Sequence, residues 1–89
     1  MTEYEKQKLR AISELCRDFT RDKVHDLYSL AYHFSYMEME RNALLAGFKR
    51  YESLKREKTK EKAWSYVTDQ VFRLKTIADS AIFCSNKTD

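Results

Sequence analysis

The 89-residue chain contains a single glycine, Gly47, and no proline. Glycine supplies the positive φ that tight turns need, and proline punctuates loops and strand edges. Average usage would place roughly ten such residues in a chain of this length. Their near absence argues against hairpins, barrels and long functional loops. It predicts an all-α fold of a few long helices joined by minimal connectors. Hydrophobic residues make up 43% of the chain and include five Phe, six Tyr and one Trp. That is too much apolar mass for a disordered chain and enough for one small helical domain over residues 1–89.

The apolar spacing divides the chain. Thr2 and Glu5 fit a capping box, in which each side chain bonds the other residue's backbone N–H. They open a helix expected over residues 3–19, with Leu9, Ile12, Cys16 and Phe19 on one side. Thr20 is the best cap for a second helix. Leu27, Leu30, Phe34, Met37, Arg41, Leu44, Phe48 and Tyr51 then alternate in steps of three and four. This heptad-like seam has one polar member, Arg41, and predicts that the second helix is continuous over residues 21–57. The run KREKTKEK breaks the pattern, with Thr59 as the expected cap of a third helix over residues 60–84. That helix carries Trp64, Val67, Val71, Leu74, Ala78 and Ala81. The predicted fold is thus an antiparallel, coiled-coil-like bundle of three helices. Its central helix, roughly 55 Å long, would outreach both neighbours, which would lie end to end along it. One flank of that helix would stay uncovered, which predicts a homodimer.

Several classes of function are disfavoured. The N-terminus MTEYEKQKLR has no apolar segment of the kind that opens a secretory signal. The longest apolar run, ALLAGF, is far short of the ~20 residues a membrane span needs. No membrane partner is expected, and a cytoplasmic, reducing compartment is, with Cys16 and Cys84 as thiols. Cys16 and His25, with Asp22 or Asp26 behind them, would be the components of a thiol nucleophile. Cys16, however, sits on the apolar seam, where cysteine serves as a small hydrophobe. His25 and His33 are eight residues apart, and only Asp22 and His25 have helical ligand spacing. No glycine-rich segment could cradle a phosphate. The chain is expected to be neither an enzyme nor a holder of metal or cofactor.

Two features point to binding. Tyr28, Tyr32 and Tyr36 are each four apart and lie across the helix from the seam. Tyrosine suits a face that is apolar in body and wet at the hydroxyl. The expected function is a small interaction module, an adaptor, inhibitor or regulator acting through helical contact with a protein partner. Arg41 would fix register by pairing with Glu38 or with a partner's carboxylate, and Gly47, four after Ala43, would permit close approach. The alternative is a nucleic-acid-associated protein. Lys49, Arg50, Lys55, Arg56, Lys58, Lys60 and Lys62 stand against Glu52, Glu57 and Glu61, a net of +4 in a chain of formal charge +3. Such a concentrated patch is the footprint of polyanion binding.

Overall fold

A computed structural model describes the backbone of residues 1–88 and the side chains of residues 1–86. The described residues form helices and connectors, with no strand. There are four helices rather than three. Helix α1 spans Glu3–Arg17, α2 spans Val24–Ala31, α3 spans Glu38–Ser53 and α4 spans Glu57–Thr88. Short 3₁₀ turns at Arg21–Lys23 and Ser35–Met37 lead into α2 and α3.

The capping box forms as the spacing requires: the Glu5 N–H donates to Thr2 Oγ1 at 3.1 Å, and the Thr2 N–H donates to the Glu5 carboxylate at 3.4 Å. The expected helix over 21–57 is not continuous. After Ala31 the last N–H groups close tight turns, His33 onto the Leu30 carbonyl and Phe34 onto that of Ala31. Phe34 is then extended (φ −123°, ψ 110°), and the chain reverses. His25 on α2 consequently meets Phe48 on α3 edge-on, with ring centroids 6.2 Å apart. The reversal stands on burial. Phe34 keeps only 3% of its surface exposed, and Ala31 and Met37 on either side are fully buried.

The longest element is instead α4, with 32 residues. It begins at Glu57, so Thr59 is an interior helical residue and not its cap, and it continues past residue 84. Both α1 and α3 pack on it, and α2 packs on α1 and α3. Tyr51 meets Trp64 on the first turns of α4, whereas Ser13 meets Asp79 farther along. Two shorter helices thus lie staggered along a longer one, but the long one is the last and not the central helix. Directions alternate down the chain, giving bundle-like antiparallel packing within an envelope of 50 × 19 × 17 Å.

The core holds most of the residues the spacing picked out, adds Val24 and Ala31, and leaves Phe19, Leu30, Tyr51, Trp64 and Ala81 partly buried at its margin. Leu9, Ile12 and Cys16 from α1 join Val24, Leu27 and Ala31 from α2, Leu44 and Phe48 from α3, and Val67, Val71, Leu74 and Ala78 from α4. Burying such side chains stabilises the fold by about 1.5–3 kcal/mol for each large one. A polar clasp ties α1 to α4 at the rim of this core. Ser13 Oγ donates to one Asp79 oxygen at 2.7 Å, and Lys75 Nζ to the other at 2.7 Å. These two donors, Lys75 first, hold the Asp79 carboxyl below its usual pKa.

Candidate functional site

The alternating directions give the bundle two ends of different chemistry. The first end collects the α1–α2 connector, the C-terminus of α3 and the N-terminus of α4. Its interior is aromatic: Phe19 stacks on Trp64 at 5.6 Å, Tyr51 tilts against Trp64 at 5.1 Å, and Phe48 stacks on Tyr51 at 6.1 Å. Arg21 and Lys60 lie over the Tyr51 ring at 5.4 and 5.2 Å.

All seven cations expected to form a basic tip stand at this end. Lys49, Arg50, Lys55, Arg56, Lys58 and Lys62 are exposed and Lys60 is half-buried. None of the seven makes an ion pair with Glu52, Glu57 or Glu61 among the described residues. The fold also brings in Arg17, Arg21 and Lys23 with Asp18 and Asp22, so this end carries +5 and the rest of the chain −2. The helix boundaries sharpen the point. Cations at a helix C-terminus favour its dipole, which accounts for Lys49 and Arg50. Lys58, Lys60 and Lys62 occupy the first turns of α4, the positive end of its dipole, where a cation is disfavoured.

A groove of about 430 Å³ opens between α3 and α4 at this end. Its floor is small: Ala46, Gly47 and Ala63. Arg50, Lys62 and Tyr66 stand around it, with Thr59 alongside. Gly47 is required here by close approach. A Cβ at this position would fall 2.7 Å from Cδ1 of the Tyr66 ring. The small residue expected to admit a partner therefore admits Tyr66 of the same chain.

The other end holds the chain reversal and the N-terminus of α1. Tyr28, Tyr32 and Tyr36 do not form one stripe, because α2 ends at Ala31. Tyr36 falls in the 3₁₀ turn and tilts against Phe34, with ring centroids 5.5 Å apart. Its partial burial, with the Glu5 carboxylate near by, raises its hydroxyl pKa. Tyr28 and Tyr32 instead converge on Arg41, whose guanidinium carbon lies 5.8 and 4.7 Å from their ring centres. Arg41 is only 8% exposed, and its Nε has no hydrogen-bond partner. The expected pairing with Glu38 is not made, since no carboxylate among the described residues ion-pairs with Arg41. Tyr32 above it is 66% exposed, and Tyr4 and Met39 are exposed as well.

The residues weighed for catalysis are apart. Burial pushes the Cys16 thiol up to about 12, with Lys75 opposing and Asp79 adding to the rise, so it stays protonated near neutrality. No hydrogen bond joins Cys16 to His25, whose ring packs on Phe48. Cys16 is buried, Cys84 is exposed, and no disulfide joins them. Among the described residues no group of three or more His, Cys, Asp or Glu side chains is placed to hold a metal ion. None of the described helices is long and apolar enough to cross a membrane.

Spacing alone missed several exposed apolar residues. Phe72 and Phe83 lie on the outer face of α4, eleven apart and therefore nearly in line on the helix. Tyr66 was missed because only the pairing of α3 with α4 gives it a groove to border. No family model, no curated protein and no solved structure matches this chain.

Proposed function

We propose that the protein is a small, non-enzymatic helical interaction module that works by surface contact with a protein partner, in the first instance a second copy of itself. Arg41 carries this reading. Its Nε is buried without an acceptor, and an unsatisfied buried donor forfeits about 1–3 kcal/mol. Cation–π contact with Tyr28 and Tyr32 returns about 0.5–2 kcal/mol of this. A carboxylate delivered beside Tyr32 by a partner would complete the site. Glu38 and Glu40 of a second copy are carboxylates of that kind, and the exposed Tyr32, Tyr36 and Tyr4 would supply the surrounding apolar contact. In this role the module is an adaptor, inhibitor or regulator, and its chemistry is binding alone.

Light scattering coupled to gel filtration tests this. The expected mass is twice the 10.7 kDa of one chain, falling to one chain with Tyr32→Ala or Arg41→Met. A chain that remains at 10.7 kDa at every concentration and co-purifies with no protein would overturn the proposal.

A second reading, polyanion binding at the basic end, is favoured by one specific observation. Lys58 and Lys62 stand against the dipole of α4 and have no ion pairs, so helix stability does not explain them. Affinity for a polyanion would then fall steeply with salt. The double change Lys55→Glu and Lys58→Glu would abolish it and leave self-association intact.

A further inference from the structure

We infer that the groove between α3 and α4 is a subsite for one nucleotide unit of a single-stranded nucleic acid, the base lying against Tyr66 and the phosphate between Arg50 and Lys62. This rests on the polyanion reading of the basic end and deepens it. Three observations carry it. First, the groove joins an aromatic ring to positive charge. Tyr66 is 47% exposed, and Arg50 and Lys62 flank it without ion pairs. No carboxylate lines it, although Glu52 and Glu61 lie only two residues from Arg50 and one from Lys62 in sequence. Second, its volume of about 430 Å³ suits a small planar group with one charged appendage. Sites for such groups run from about 300 to 1,000 Å³. Third, the floor of Ala46, Gly47 and Ala63 keeps the groove open, and Gly47 lets the Tyr66 ring rest directly on α3.

The geometry selects a single strand over a duplex. Stacking on a side chain needs an unpaired base that can leave its own stack. Aromatic platforms within a cationic groove are the means by which single strands are held with little sequence preference. A duplex would meet only the surrounding cations, because its bases are already paired and stacked within the helix. Thr59 also lines the groove.

The test is fluorescence anisotropy with labelled oligo(U), oligo(dT) and a duplex, each about twelve nucleotides long, since binding sites of this kind span roughly 4–16. Wild-type chain is expected to bind the single strands more tightly than the duplex. Tyr66→Ala should weaken single-strand binding by about 5- to 150-fold, the equivalent of the usual worth of one stacked base. Tyr66→Phe should retain it. Neither change should alter the slope of affinity against salt. Lys62→Gln should instead lower that slope by about 0.7, the value for one phosphate contact on a single strand. Circular dichroism would verify that each variant keeps its helix content, as expected for a half-exposed residue. If the wild type binds single strands but Tyr66→Ala binds them equally well, or if the duplex binds as tightly, the groove is not the site and only a general polyanion surface remains. If the wild type binds none of the three at low salt, the polyanion reading fails together with the groove.

Discussion

The two ends of the molecule use the same side chains in opposite ways. At the basic end the aromatic residues Phe19, Phe48, Tyr51 and Trp64 face inward and stack, and the cations face water. At the reversal the cation, Arg41, faces inward, and the tyrosines Tyr32 and Tyr36 face water. Burying an aromatic ring and exposing a cation are each favourable, so the rings of the basic end are satisfied within the fold even though three of its cations stand against the dipole of α4. Burying a guanidinium and exposing rings is unfavourable on both counts, so the reversal end stands as an unsatisfied surface. The contrast separates a platform that presents charge from a patch in which one buried donor, Arg41 Nε, is left unpaired.

The largest effect is expected at the reversal itself. Phe34 is the plug on which the turn stands, and Phe34→Ala should cost about 3–5 kcal/mol in urea unfolding, the usual range for a buried phenylalanine. A loss below about 1 kcal/mol, the scale of an ordinary surface change, would mean that the turn is held by something else.

At Arg41 the expected change has the opposite sign. Arg41→Met removes the unsatisfied donor and the cation–π contact together. At a concentration where both proteins are monomeric, the net result should be a stability gain on the order of 1 kcal/mol, visible as a higher midpoint in the same titration. The gain should be accompanied by loss of self-association. A destabilised variant would show that Arg41 belongs to the fold rather than to a binding surface.

The smallest effect is expected at the clasp midway between the two ends. Ser13→Ala removes one hydrogen bond to the half-exposed Asp79 and should cost about 0.5–1.5 kcal/mol near neutrality, toward the lower figure. The sign of its pH dependence is set by the lowered Asp79 pKa. The carboxylate's contribution is complete above the unfolded value of about 3.9 and disappears as pH falls through the lower folded value. Unfolding curves of wild type and Ser13→Ala should therefore converge in acid. A difference that widens below about pH 3.9 would contradict the assignment.

What the sequence revealed and what it hid have one cause. Apolar period reports which side of a segment faces the core, and it did so for Leu27, Phe34, Met37, Leu44 and Phe48, all of which are buried. Period does not report whether the segment is one helix or two. The steps from Leu30 to Phe34 to Met37 remain four and three across the reversal, so the seam reads as unbroken. The cues present were local: Tyr32, His33 and Phe34 are three weak helix formers in a row, and Ser35 with Glu38 has the spacing of a helix start. Neither glycine nor proline marks the place. The basic end was legible because its seven cations fall within fourteen consecutive residues. The groove was not, because Gly47 and Tyr66 are nineteen residues apart and meet only through the packing of α3 on α4.

Both proposed surfaces depend on the chain turning back at Phe34, since that turn places Arg41 beneath Tyr28 and Tyr32 and gives the bundle its two ends. A nuclear Overhauser spectrum that resolves the His25 and Phe48 rings tests the turn directly. With centroids 6.2 Å apart, the two rings should give cross-peaks. In an uninterrupted helix over residues 21–57 they would stand roughly 35 Å apart, and the absence of any cross-peak between them would contradict the reversal.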